Sequence, residues 1–229
     1  MTFNIKILFF LLFFILSINT RRHAAGVENE IVLDYKSSGN KVLLEDAIKR
    51  RRSVREYSSK GMTFKDISKL LYFANGVTKE DSFFGNFRAA PSAGATYPIE
   101  IYLVSNGIKN LADGLYWYNV ENDSIVLKKE GSFNSQVAES CYGQNFISHA
   151  ESIFIMTAVW ERTLKRYHER GRRYVFMDAG HIAQNIYLEA TALGLAPCAV
   201  GAFDDGKMNT FLSIDGKKES CVYIMVVGK

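Results

Sequence analysis

The chain has 229 residues, 48% hydrophobic and 13% aromatic, enough to bury one sizeable core and too apolar for a disordered or collagen-like segment. Its formal charge of +4 comes mostly from the first 23 residues, which hold Lys6, Arg21 and Arg22 and no acid; residues 24–229 carry 25 basic against 24 acidic residues, a net of +1, which excludes a globally basic protein that coats nucleic acid. Cys141, Cys198 and Cys221 lie far apart, with no CxxC or Cys/His spacing, which argues against a disulfide framework, a zinc site or an iron–sulfur cluster.

Residues 1–23 form a separate unit. Ile7–Ile18 is apolar apart from Ser17. These twelve residues match a signal-peptide hydrophobic region and fall short of the roughly 20 that span a bilayer. Arg21 and Arg22 follow directly, where cations retard translocation, and no A-x-A cleavage site is visible. Phe9–Phe14 is apolar on every face, a poor fit to a half-buried helix. The expectation is a targeting or anchor segment, cleaved or retained, that makes the protein membrane-associated or exported. Residues 24–41 read as a polar linker and 42–229 as one domain.

From Val42 the spacing of Leu43, Leu44, Ala47 and Ile48 predicts a helix, closed by basic residues that complement its C-terminal dipole. Thr63 with Asp66 resembles a capping box that opens a second helix, lined by Phe64, Ile67, Leu70, Leu71 and Ala74 and ended at Gly76. Ile99–Val104 reads as a strand, Leu115–Tyr118 and Ser124–Leu127 as a hairpin, Ser135–Cys141 as a short helix and Ile153–Val159 as a buried strand. Asp178–Leu193 reads as a long helix whose many Ala and Gly suit close helix contact, in a core or at a dimer seam, and Val222–Val227 as a last strand. Together these predict an α+β layer fold.

Three segments could carry chemistry. Arg51, Arg52, Ser53 and Arg55 bring guanidinium forks and a hydroxyl together as a helix ends, the donor set a phosphate monoester wants. Taken alone, such a run is usually a solvated basic face. Ala90–Pro98 is a run of small residues feeding a strand; it reads equally as an ordinary turn or as backbone that approaches a flat ligand. Gly194–Asp204 is again nearly free of bulk, either a short buried strand or a backbone donor for a cofactor. No GxGxxG or Walker pattern occurs, so a Rossmann nucleotide site is unsupported. His181 and Cys198 read more simply as packing residues than as chemical groups.

The order of these segments resembles the nitroreductase-like FMN oxidoreductases over about residues 42–229, and within them the branch of SagB-type dehydrogenases that oxidise azolines in modified peptides. Pro91–Tyr102 matches P-S-A-G-A-x-Y-P-x-E-x-Y, and Gly180–Leu195 matches G-H-x-x-Q-N-x-Y-L-x-A-x-x-L-G-L. The resemblance implies a mostly antiparallel central sheet flanked by helices, with the long central helix at a homodimer interface. It implies that Arg51, Arg52, Ser53 and Arg55 hold the FMN phosphate and pyrimidine edge, and that Pro91, Ser92, Ala93 and Ala95 meet the flavin from the partner subunit. Ala199, Val200, Gly201 and Ala202 would lie along the isoalloxazine ring, with Gln144 also at the cofactor and Lys229 standing in for the longer basic tail of relatives. The implied mechanism is ping-pong, with NADH or NADPH as donor. Azoline-oxidising members carry a Lys-Tyr pair for proton abstraction; the catalytic positions here are Arg166 and Tyr167, and an arginine is a poor base.

The leading expectation is an FMN-dependent reductase of small electrophiles such as nitro compounds or quinones. The alternatives are a flavin dehydrogenase acting on a peptide azoline or other tailored metabolite, and a non-catalytic, membrane-tethered flavin-binding protein. No nucleic-acid partner and no metal are expected.

Overall fold

The computed structural model describes residues 29–36, 42–57, 61–81 and 85–229. The apolar stretch 7–18 lies outside these, and with it the expectation of membrane targeting. Among the described residues no helix is long and apolar enough to cross a membrane.

A seven-stranded antiparallel sheet organises the domain. Its strands are β1 (Glu30–Val32), β4 (Ile99–Ser105), β5 (Gly114–Asn119), β6 (Ser124–Glu130), β7 (Ser152–Val159), β8 (Ala196–Val200) and β9 (Glu219–Gly228). They lie in the order β1-β6-β5-β4-β7-β9-β8, and β2 (Val77–Lys79) pairs with β3 (Phe87–Arg88) as a separate ribbon. The helices are α1 (Leu44–Arg50), α2 (Phe64–Asn75), α3 (Asn134–Ser140), α4 (Phe146–His149), α5 (Trp160–Tyr167), α6 (Gly171–Ala192) and α7 (Asp205–Leu212).

Both faces of the sheet are covered, and strand alternation explains how. In β7, Phe154 and Met156 face one core while Ile153 and Ile155 face the other; β9 does the same with Met225 and Val227 against Ile224 and Val226. The first core takes Ile67, Leu70, Leu71 and Ala74 of α2 and Val175, Ala179, Ile182, Ala183, Ile186 and Ala190 of α6. The second takes Val137 and Ala138 of α3 and Met208, Phe211 and Leu212 of α7. The small residues of α6 are therefore largely core residues that let helix and sheet approach, while Gly180 is exposed.

The capping box is present: Asp66 N donates to Thr63 Oγ1 at 3.3 Å and Thr63 N to Asp66 Oδ2 at 2.8 Å. Gly76 ends α2, as expected, without the left-handed φ that a terminal glycine often supplies. Its φ is −66°, open to any residue, but a Cβ there would meet the Tyr72 ring at 2.5 Å.

Three features went beyond the expectations. Glu30–Val32, within the stretch read as linker, pairs with β6 as an edge strand too short to show in the sequence. The long helix begins at Gly171, seven residues early, because Arg172 and Arg173 blur its apolar stripe. Residues 160–167, singled out only for Arg166 and Tyr167, form α5.

Replacing Thr63 by Ala removes one half of the box; urea denaturation should show a loss of about 1 kcal/mol.

Candidate functional site

The basic run leaves α1 and crosses to the sheet edge, where Val54 N donates to Pro197 O at 2.9 Å. This contact lays residues 51–57 beside β8. Tyr187, on the core side of α6 and 9% exposed, completes the junction. Its hydroxyl accepts from Ala199 N at 2.8 Å and shares a hydrogen bond with Ser53 Oγ, also 2.8 Å. The Arg51 guanidinium lies 5.1 Å from the Tyr187 ring centroid, and that of Arg55 lies 5.8 Å from the Phe146 ring, distances at which a cation meets a π face.

Arg52 turns back on its own helix end, donating to the carbonyls of Lys49 and Arg51 at 3.1 and 2.7 Å. Among the described residues, no carboxylate pairs with Arg51 or Arg55. Arg51 and Ser53 thus meet at Tyr187 and Arg55 lies beside Phe146, neither arginine with an acidic partner among the described residues.

Past β8 the backbone opens out. Gly201 and Ala202 are exposed, and a Cβ on Gly201 would find only the Tyr223 ring, at 3.9 Å. Val200 differs from its neighbours: its side chain packs in the second core, so only its main chain borders the site. Gln144 Nε2 donates to the carbonyls of Ala202 and Cys141 at 3.2 and 3.1 Å, which fixes the far end of the strip. Burial pushes the Cys198 thiol up, and the nearby Arg55 guanidinium draws it partly back. Tyr57, whose ring covers Gly228, has a buried hydroxyl with no hydrogen-bond partner among the described residues. Lys229 lies at the end of β9, where a Cβ on Gly61 would meet its Cδ at 3.1 Å; its stem runs toward residue 61 rather than along Arg51–Arg55.

The second cluster gathers on the N-terminal half of α6. Pro91, Ser92, Ala93 and Ala95 form a tight loop with a 3-10 turn over Ala93–Ala95. Gly94, Ala95 and Tyr97 all have positive φ (62°, 53° and 44°); only the first is a glycine, so the other two store strain of order 1–3 kcal/mol each. Asp178, 4% exposed, holds the loop against that strain: Ser92 Oγ donates to Oδ2 at 2.7 Å, and Ala93 N to Oδ1 at 3.4 Å. Ser92 Oγ in turn accepts from Tyr97 N at 2.9 Å. Arg166 and Tyr167, at the end of α5, close on the same loop. Arg166 Nη1 donates to Gly94 O at 3.1 Å, and a Cβ on Gly94 would sit 2.5 Å from the Tyr167 hydroxyl.

Sequence reasoning missed the two residues that build these clusters. Tyr187 and Asp178 were each visible as a polar side chain on the apolar stripe of a helix, which must find a partner when buried. They are nine positions apart on α6, about 13.5 Å along the axis at 1.5 Å per residue. The run 51–55 and the loop 91–95 of one chain therefore lie at different levels of the helix. A separate cleft of about 490 Å3 runs between α3 and α7, lined by Phe133, Glu139, Lys207 and Phe211 among others; it includes none of residues 51–55, 91–95 or 199–202.

Comparison with known proteins supplies the context. A profile described as the Nitroreductase family matches residues 48–229. The chain is 42% identical over 188 residues to the Methanocaldococcus jannaschii protein MJ1384, named as a nitroreductase, covering 82% of this chain and 91% of that one. It is 25% identical over 173 residues to the Microcin B17-processing protein McbC of Escherichia coli, covering 73% of this chain but 62% of McbC. A solved structure of a Ralstonia eutropha protein, also named as a nitroreductase, superposes with a TM-score of 0.74 at 24% identity, covering 88% and 90% of the two chains, a likeness of fold.

Burial pushes the Asp178 carboxyl above its ordinary value of 3.8, while Ser92, the Ala93 amide and His181 pull it back. A raised carboxyl stabilises the protonated fold, so this contribution is greatest below the ordinary value and is lost as pH rises through the raised one. Asp178→Asn lacks that decline. The stability of the Asn variant minus that of the parent should therefore grow with pH from about 4 upward, read by urea unfolding across the acid range.

Proposed function

The chain belongs to the nitroreductase family, and from that premise we propose that it is an FMN-dependent oxidoreductase carrying two electrons from NADH or NADPH to small electrophiles such as nitro compounds or quinones. One observation carries the reading. Arg51 and Ser53 at Tyr187, with Arg55 at Phe146 and neither arginine paired to a carboxylate among the described residues, stand beside a strand that runs on into an exposed strip of main chain at Gly201 and Ala202.

The donor set fits FMN. Arg51 and Arg55 offer forks that match phosphate oxygens, Ser53 adds a hydroxyl, and the buried Tyr57 phenol beside Arg55 still lacks a partner among the described residues. The exposed backbone at Gly201 and Ala202, free of bulky side chains, leaves room for a flat ring to approach. FMN, when bound, supplies the two-electron chemistry. Over one turnover the nicotinamide donor loses a hydride and the acceptor gains two electrons and two protons, the second proton coming from solvent; a quinone leaves as its hydroquinone. The protein's own task is positioning. Gln144 fixes the carbonyl of Ala202, and Asp178 and Arg166 fix the loop 91–95. Arg166 is bonded to Gly94 O and keeps its proton, so it anchors and does not accept.

The same reading takes the active unit as a homodimer. The anchors of the two clusters stand about 13.5 Å apart along one helix, and a second copy can bring its loop 91–95 to the first copy's run 51–55. Leu44 and Ile48 of α1, which packs on α6, and Phe176 and Met177 of α6 are 60%, 54%, 54% and 51% exposed, apolar surface that a partner would cover. A second reading, dehydrogenation of a peptide azoline, is favoured by the likeness to McbC and by the seat of Tyr167 on the loop. The arginine at position 166 weighs against it.

Purified protein should be yellow or take up added FMN, and the flavin absorbance should bleach under anaerobic NADH or NADPH. A colourless protein that ignores FMN overturns the proposal; a flavin that only an azoline peptide reduces favours the second reading. Arg51→Ala and Arg55→Ala should each weaken FMN binding roughly tenfold or more, as loss of a charged hydrogen bond does, in a fluorescence titration.

A further inference from the structure

We propose that the mouth of this site selects planar, negatively charged acceptors, through an aromatic and cationic wall built by the end of α5 and the start of α6. The inference rests on the flavin reading and narrows its substrate class.

The wall is fixed from residue to residue. Tyr167 seats its hydroxyl on Gly94, and Tyr174 meets the Tyr167 ring edge to face, centroids 5.1 Å apart. Arg170 Nε donates to the Tyr174 hydroxyl at 2.8 Å, while the Arg166 guanidinium lies 5.4 Å from the Tyr167 centroid and bonds to Gly94 O. Two phenol rings and two guanidinium groups thus stand together at the loop assigned to the flavin. Rings of this kind offer a stacking edge to a planar molecule, and the guanidinium groups offer forks to a carboxylate or sulfonate on it.

The local charge agrees. Residues 161–173 hold six cations and two carboxylates, in a chain whose remainder is nearly neutral. Of the six, Arg162 pairs with Glu100 at 2.5 Å and Arg172 with Glu169 at 2.8 Å. Lys165, Arg166, Arg170 and Arg173 have no carboxylate partner among the described residues. Glu161, the other carboxylate of the segment, sits in the first turn of α5, at its far end from Arg166 and Tyr167, and Asp178 is turned inward onto Ser92 and Ala93. The C-terminal dipole of α5 offsets part of this charge, but its effect ends within one turn.

The backbone is held in a costly shape to make this corner. His168, between Tyr167 and the 3-10 turn His168–Arg170, has φ 51° and ψ −149°, a region that glycine fills easily and other residues rarely do. That break turns the chain between α5 and α6 and brings Arg170 and Tyr174 back beside Tyr167.

The test compares 4-nitrobenzoate with 4-nitrobenzamide, alike in shape and different in charge, on the FMN-loaded full chain. Binding is read from the flavin absorbance shift, and turnover from NADH or NADPH oxidation. The acid should bind about tenfold tighter at low ionic strength, with an advantage that shrinks as salt rises. In the double variant Lys165→Glu/Arg173→Glu, which changes only exposed side chains, the ratio of the two affinities should fall to about one or below. Arg170→Gln, which keeps a hydrogen-bond donor to Tyr174 and loses the charge, should lower the ratio by several-fold. Equal affinities in the parent, or a ratio indifferent to salt and to the charge changes, overturn this inference alone. Failure to take up FMN overturns the flavin reading, and this inference falls with it.

Discussion

One phenolic oxygen joins the three parts on which the candidate site depends. The Tyr187 hydroxyl belongs to α6, accepts from the main chain of β8 at Ala199 and bonds to Ser53 in the basic run. Without it, the run 51–55 would be tied to the sheet chiefly through the single contact of Val54 with Pro197. The arrangement is economical because the polar atom is also a core atom. Its ring fills the first core, so its hydroxyl cannot swing away without opening a cavity. Rigidity at the basic run is thus inherited from packing.

Asp178 does the corresponding work at the other level of α6, by a different kind of force. A buried carboxylate that accepts two hydrogen bonds holds a loop whose Ala95 and Tyr97 would otherwise relax from positive φ. Arg166 grips the same loop from outside, through the carbonyl of Gly94. The helix therefore works as a ruler: one polar anchor positions the basic run, and a second, nine residues back, positions the loop 91–95.

Local signals were the legible ones. Thr63 and Asp66 announced their helix because a capping box is complete within four residues. The strand β7 announced itself by an apolar run broken only at Thr157, since both its faces are covered, and β4 by the apolar residues that flank Glu100. Most of the residues now gathered at the two clusters were legible too, though through a resemblance of motifs and not through chemistry alone. What stayed hidden depended on distant contacts. Nothing near Tyr187 reveals that Ser53 lies 134 positions away, and nothing near Asp178 reveals Ser92, 86 positions away. The helix α5 was masked for another reason: Glu161, Arg162, Lys165 and Arg166 present charge on most of its turns, and its buried side rests on Trp160 and Thr163.

The path of the basic run has one more effect. By donating from Val54 to Pro197 O, it lies along β8, the outermost strand on that side of the sheet. An outermost strand left bare is a template for pairing with other chains. The segment that would grip the phosphate is also the cover of that strand, so retention of a cofactor there and resistance to aggregation would share one piece of backbone. Substitutions that loosen residues 51–55 reach further than the candidate site, because they also uncover an adhesive edge.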